Sequence, residues 1–311
     1  MVFRTALKIK QKPKTIDYSS KIALIGSCFS DNIAKKLAYH KFDLLTNPHG
    51  IVFSPKAIEK SLFDCANKTI YTAHDLVQEN EIWHSMHHHA SFSGLTKKEV
   101  LKNINHSIQK ANTFLQEADP VIITLGTAWV YHYIPQDELV ANCHKIPQSN
   151  FIKRLLSIEE IKVSLENSIQ LVKKLNPNSK IIFALSPVRH LKDGFTENTQ
   201  SKAHLLSAIH QVTNKQVFYF PSYEIMLDDL RNYRFYNEDM LHPNAVAIDY
   251  IWDKFQESWI SNDALAISKK VAEIQRDLAH KPFNPTSEAH QKFLVKLSQK
   301  KAQLELLGIQ W

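Results

Sequence analysis

The apolar positions of this 311-residue chain follow two alternating rhythms. Near-continuous apolar runs stand at Lys21 to Ile25, Val121 to Leu125, Ile181 to Leu185 and Val217 to Phe220. The length and continuity of the first three suit strands buried on both faces, and the fourth reads as a short strand. Between them the spacing turns helical. Ile33, Ala34, Leu37 and Ala38 predict a helix from about Asn32 to Tyr39. Pro55 opens another, with Ala57, Ile58, Ser61 and Leu62 following. Val100, Leu101, Ile104, Ile108 and Ala111 mark a helix within Thr96 to Leu115. Ser157 and Glu160 form a capping box ahead of an apolar stripe from Ile158 to Leu175, which Asn176-Pro177-Asn178 stops. Further helices are predicted from about Asn198 to Val212 and from Pro243 to about Ile260. The tail from Asn262 to Trp311 reads as two helices broken at Lys281 to Pro285, and Met1 to Ser20 as an extended lead-in. Strands alternating with helices predict an α/β fold, a parallel sheet covered on both faces.

The reactive side chains gather where strands end. The first run stops at Gly26 and continues Ser27-Cys28-Phe29-Ser30-Asp31; the second stops at Gly126. An open α/β sheet places its chemistry outside the carboxyl ends of its strands. Backbone N–H groups at a helix start there lower a thiol's pKa or hold an oxyanion. Far downstream, Asp239-Met240-Leu241-His242-Pro243 puts a carboxylate three residues before an imidazole, at the entrance to a helix. One short turn lets the acid hold one ring nitrogen and leaves the other for a nucleophile's proton.

Together these stretches resemble the SGNH/GDSL hydrolase superfamily, and more closely its GSCFA-domain branch. The motif that names the branch reads here Gly26-Ser27-Cys28-Phe29-Ser30. Asn47-Pro48-His49-Gly50, Leu125-Gly126-Thr127-Ala128-Trp129, Ser186-Pro187-Val188-Arg189-His190 and Ser201-Lys202-Ala203 are similar to it as well. The resemblance implies a three-layer α/β/α flavodoxin-like fold and acyl-ester hydrolysis. The expected organisation is an α/β domain with inserted loops over 1–260 and a helical extension packed on it over 261–311.

Set against the superfamily motif, the nucleophile falls on Cys28; a slide of one residue gives Ser27, and both stay open. His242 is the general base and Asp239 its orienting acid. The asparagine that the superfamily uses as an oxyanion donor falls on Ala128, so Asn47, the Gly50 N–H and Gly126 are the candidate oxyanion groups. Trp83, His87 and His89 belong to a polar loop suited to a sugar, while Arg189, His190 and Lys202 suit an anionic substrate group. The expected substrate is a small-molecule or saccharide ester, with no cofactor.

Two other readings stand beside this one. The loss of the asparagine fits a non-catalytic module that holds a carbohydrate or acyl ligand. His84 and His88, four residues apart, would share a metal if they lay on a helix, giving a metal-dependent hydrolase built on His84 to His89. No Glu follows them in an H-E-x-x-H pattern, and no metal ligand is assigned.

Bulk properties narrow the partners. The net charge is +7, but the basic residues are scattered and no nucleic-acid motif accompanies them. Three widely spaced cysteines without a CxxC pair suit a reducing compartment. The chain as given shows neither a secretory signal nor an apolar stretch that spans a membrane, which predicts a cytoplasmic protein. Oligomeric state is not legible.

Overall fold

The computed structural model describes residues 5–9 and 16–311, so part of the expected lead-in, at 1–4 and 10–15, lies outside the described residues. Five parallel strands build the central sheet, in the spatial order Val217–Phe220, Ile181–Leu185, Val121–Leu125, Lys21–Gly26, Asp43–Thr46. Four of them are the apolar runs of the sequence. The fifth, Asp43–Thr46, is a short, half-exposed edge strand with too few apolar residues to announce itself.

Alternate side chains of the sheet feed two cores. Ile22, Leu24, Ile122 and Ile182 pack against Cys28–Tyr39 through Ile33 and Leu37, and against Ala245–Trp259 through Trp252, Phe255 and Trp259. Ala23, Ile25, Ile123 and Phe183 face the other way. They meet Pro55–Asn67, Lys97–Leu115, Ile158–Leu175 and Phe195–Val212. The result is a three-layer α/β/α fold. Numbered along the chain, the sheet strands run 2-1-3-4-5, the flavodoxin-like order, whose crevice opens between strands one and three. Those are Lys21–Gly26 and Val121–Leu125.

Two departures from the sequence reading shape that crevice. The first helix begins at Cys28 instead of Asn32, because Ser27 caps it: the Ser27 Oγ accepts the Phe29 N–H at 3.3 Å. The apolar stripe that predicted the helix starts only a turn later. After Val121–Leu125 the chain also builds an antiparallel sheet of Trp129–Tyr133, Glu138–Val140 and Phe151–Leu155, whose short, mixed strands carry no clear period.

The C-terminal helices Asn262–Ala279 and Glu288–Glu305 form as expected around Val271, Ile274, Leu297 and Leu304. They touch the α/β body where the Gln275 amide donates to the Tyr39 carbonyl at 3.0 Å and where Ser268 Oγ meets His40 Nδ1 at 2.7 Å.

The histidine-rich segment corrects the metal reading. Ile82–His84 is a short strand and a turn follows, so no helix aligns the imidazoles. His84 stacks on His144, centroids 4.4 Å apart, and His88 on His49, 4.1 Å apart. His88 Nδ1 meets Ser85 Oγ at 2.8 Å, and His49 Nε2 meets Asp64 at 3.2 Å. The Asp64 carboxylate also receives the Lys60 ammonium at 2.6 Å and the Tyr71 hydroxyl at 2.7 Å. Among the described residues, no three His, Cys, Asp or Glu side chains gather as metal ligands. Burial lowers the pKa of His49 against the opposing pull of Asp64, takes that of His88 well below the usual imidazole value, and pulls His144 down to about 4.

Two outcomes follow from this framework. Gly26 has φ +142°, and a Cβ there would lie 2.1 Å from the Thr124 carbonyl oxygen. Gly26→Ala should therefore lower the unfolding free energy in urea by at least about 2 kcal/mol; a variant as stable as wild type contradicts the geometry. The buried imidazoles set the second. As pH falls below 6.5, unfolded histidines take up protons that folded His144 refuses until about 4. The unfolded state then binds more protons, so stability falls with acid, by up to about 1.4 kcal/mol per pH unit for each such group. Urea midpoints at pH 7 and pH 5 test this; an equal or higher midpoint at pH 5 contradicts it.

Candidate active site

The crevice begins at the Gly26 turn. The Gly26 N–H donates to Asn47 Oδ1 at 2.8 Å, and the Ser27 N–H to the Thr124 carbonyl at 3.1 Å. Ser27 is 1% exposed, its hydroxyl engaged as the helix cap. Cys28, the next residue, is partly exposed at the first helical position. Its own N–H has no carbonyl of the same helix to bond. Burial pushes the Cys28 thiol up and the Asp31 carboxylate pushes the same way, while the N–H groups of Cys28 and Phe29 and the Lys202 ammonium oppose them.

The expected oxyanion donors are largely engaged, which corrects part of the sequence reading. The Gly50 N–H donates to the Asn47 carbonyl at 2.8 Å, and the Gly126 N–H to the Phe53 carbonyl at 2.8 Å. Asn47 braces the turn: besides accepting from Gly26, its Nδ2 donates to Asp31 Oδ1 at 2.6 Å. One amide hydrogen of Asn47 remains. Gly126 has a steric task instead, since a Cβ there would lie 2.7 Å from the Phe53 ring. Ala128 is buried, and its N–H is held by Ser201 Oγ at 2.7 Å.

Above the carboxyl end of Ile181–Leu185 lies the second half of the site. The Arg189 N–H donates to the Leu241 carbonyl at 3.3 Å, which ties the loop carrying Asp239 and His242 to this edge of the sheet. Asp239 Oδ2 holds His242 Nδ1 at 2.6 Å. Its Oδ1 accepts the N–H groups of Leu241 at 2.9 Å and His242 at 3.0 Å. These backbone bonds, then the imidazole, hold the Asp239 carboxyl at about 2. With Nδ1 taken, His242 keeps Nε2 for another partner, and both side chains remain open to solvent. His190 is the link inward. Its ring stacks on Phe53 at 5.0 Å, and its Nε2 is buried without a hydrogen-bond partner among the described residues. Burial holds it neutral, at about 3, with Lys202 and His242 acting in the same direction.

His190 also lines a cleft of about 380 Å³ with Phe53, His89, Thr127, Trp129 and Tyr131 among others, while Cys28, Asp239 and His242 are not part of that lining. Of the residues expected to bind substrate, only His89 and His190 line it. His87 pairs with Glu138 at 3.0 Å and faces a separate cavity of about 730 Å³ with Lys60 and Phe63. Trp83 packs with Tyr71 and Phe92 under the Lys97 ammonium, 4.1 Å from its ring. Arg189 lies over the rings of Tyr236 at 4.9 Å and Tyr233 at 5.6 Å, where it steadies the His242 loop. Lys202 is 2% exposed, below the floor of the crevice. None of these four lines the cleft, and each has partners of its own in the fold. Phe53, Trp129 and Tyr131 escaped the sequence reading, because an aromatic residue in a loop or a short strand carries no pattern of its own.

Several solved structures are similar to this chain, three of them as follows. One is a carbohydrate esterase family 3 protein from Talaromyces cellulolyticus, at 10% identity and TM-score 0.38 over 80% of this chain and 98% of that one. Another is an acetyl esterase mutant with acetate ion, at 12% identity and TM-score 0.38 over 83% and 99%. The third is an acetyl xylan esterase from the rumen bacterium Butyrivibrio proteoclasticus, at 11% identity and TM-score 0.40 over 77% of this chain and 63% of that one. No curated protein matches. The GSCFA domain protein, C-terminal domain, matches residues 271–307. The GSCFA family itself matches residues 21–255, a span that holds the Gly26 turn, the cleft and the Asp239–His242 loop together, and the chain belongs to that family.

Proposed function

We propose that this chain is an esterase or acyl-transfer enzyme acting on an O-acylated carbohydrate, with Cys28 as nucleophile and His242 as base. The observation that carries the reading is the Asp239–His242 pair: a carboxylate fixed by two backbone N–H groups holds Nδ1 and leaves Nε2 free. That arrangement prepares an imidazole to take a proton and return it. Cys28 is favoured over Ser27 because its side chain is partly exposed while the Ser27 hydroxyl caps the helix.

In the reaction, Cys28 Sγ attacks the acyl carbon and its proton passes to His242 Nε2. The oxyanion that forms is held by the Cys28 N–H and the remaining Asn47 amide hydrogen. Collapse breaks the bond to the alcohol oxygen, which takes the proton back from His242. Water, or an acceptor alcohol, then attacks the thioester with His242 again as base, and the Cys28 thiol is restored. Trp129 and Tyr131 line the cleft with the Lys153 ammonium over one face of each ring, at 4.7 and 5.9 Å, and the aromatic surface left to the cleft suits a sugar.

The buried Ala128 in place of a donor supports one rival, a module that binds such a ligand without turnover. Hydrolysis of short acyl esters and of acetylated oligosaccharides separates the two. His242→Ala should lower kcat/KM by about 10³–10⁴, and Asp239→Asn by a similar factor with little change in KM. Equal rates in wild type and His242→Ala, or glycan binding with no turnover in any variant, would remove the catalytic reading.

A further inference from the structure

Arg189 and Arg231 line one small pocket, of about 110 Å³, together with Asn232, Tyr233 and Tyr236. The partners of Arg189 there are neutral: the Tyr233 hydroxyl at 3.5 Å and the Tyr236 ring. Among the described residues, no carboxylate pairs with either guanidinium. The acids nearby are turned elsewhere. Glu224 accepts the Tyr219 hydroxyl and Asp229 the Tyr250 hydroxyl, each at 2.7 Å. Asp228, three residues before Arg231, is exposed and forms no ion pair with it. Asn232 Oδ1 is taken by the Arg234 N–H at 2.9 Å, which leaves the Asn232 amide only hydrogens to offer. The pocket therefore carries a surplus of positive charge and of N–H donors, and an anion is the group that satisfies both.

The backbone ties this pocket to the His242 loop. The Arg189 N–H rests on the Leu241 carbonyl, the Asn237 N–H donates to the His242 carbonyl at 2.8 Å, and Tyr236 bridges to Pro243. Ile225–Asp229 is a π-helical turn, closed by the Leu230 N–H on the Ile225 carbonyl at 2.9 Å. Such turns are rare and recur at functional sites. This one brings Met226 and Leu227 to the pocket and leads the chain into Arg231. Along the other edge, the adjacent residues Arg189 and His190 line the pocket and the cleft respectively. At about 30 Å³ per water, the pocket takes a group of about three or four heavy atoms. That is the size of a carboxylate and too small for a sugar ring.

We propose that Arg189 and Arg231 bind the carboxylate of a sugar acid, so that the ester brought to His242 belongs to an acidic saccharide built on uronate units. The inference rests on the reading of His242 as the base of a carbohydrate esterase and names the substrate class of that site. A saccharide seated against the aromatic side chains of the cleft places its acid group past His190, at Arg189. A guanidinium grips a carboxylate through two parallel N–H bonds, which a neutral hydroxymethyl group cannot accept in the same way. Packing over the Tyr236 ring already restrains Arg189, so less freedom is lost when the ligand arrives.

Galacturonate and galactose differ in one group, a carboxylate against a hydroxymethyl. Titrating each into wild-type protein, with the arginine Nε–H signals followed by NMR, reads the pocket without reference to ester chemistry and needs no variant to fold. Galacturonate should move the Arg189 and Arg231 signals and bind about tenfold tighter than galactose. Arg231 is exposed, so Arg231→Gln spares the core; it should weaken galacturonate about tenfold, with Arg231→Lys falling between. Equal binding of the two sugars overturns the proposal, as does acetate or inorganic phosphate binding as tightly as galacturonate. In turnover, acetylated oligogalacturonides should exceed acetylated xylo-oligosaccharides in kcat/KM by about tenfold. A preference for the neutral ester overturns the proposal and leaves the esterase reading standing. Galacturonate binding with no ester hydrolysis removes the esterase reading and leaves the carboxylate pocket in place.

Discussion

The Thr124 carbonyl accepts the Ser27 N–H, and for that the backbone of Gly26 must pass where no side chain fits. This close approach fixes the end of the leading strand against its neighbour. It places Ser27 as a cap and Cys28 at the first helical position, with a backbone N–H that its own helix leaves unpaired. Asn47 reinforces the turn from the far side by joining the Gly26 N–H to the Asp31 carboxylate. The position of Cys28, the proposed nucleophile, is thus written in backbone geometry, and the side chains around it shift its thiol.

The two halves of the site are held differently. The Cys28 side is deep: Ser27 and Lys202 are buried, and His190 is half-buried. The His242 side is shallow, a loop fastened by the Arg189–Leu241 backbone bond and by the bonds of Asp239 to its own turn. In the proposed reaction, the open imidazole of His242 meets an ester from solvent while the Cys28 thiol is partly desolvated. Phe53 couples the halves, packed on Gly126 below and stacked on His190 above.

Much of this was legible in the sequence. The four buried strands announced themselves by apolar continuity, and the helix of Ile158–Leu175 by its capping box, which the structure reproduces. The pairing of Asp239 with His242 followed from three-residue spacing taken together with the resemblance to the SGNH/GDSL superfamily. The edge strand Asp43–Thr46 and the antiparallel insert did not, because their residues alternate over too short a run. Lys202 was read as a group for an anionic substrate, although the spacing of Asn198, Leu205, Ile209 and Val212 sets it on the inward stripe of its helix. The histidines of the segment from His84 to His89 suggested a metal only on the assumption of a helix. Their partners, His49 and His144, lie far away in sequence, so the stacking had no local sign.

The claim at the centre is that Cys28 carries the acyl group between donor and acceptor. Rapid quenching of wild-type protein with an activated acetyl ester, followed by peptide mass spectrometry, tests it directly. The account predicts an acetyl thioester on Cys28 that forms and decays at rates consistent with turnover. Acetylation of Ser27 instead, or turnover with no acyl group on either residue, would contradict it.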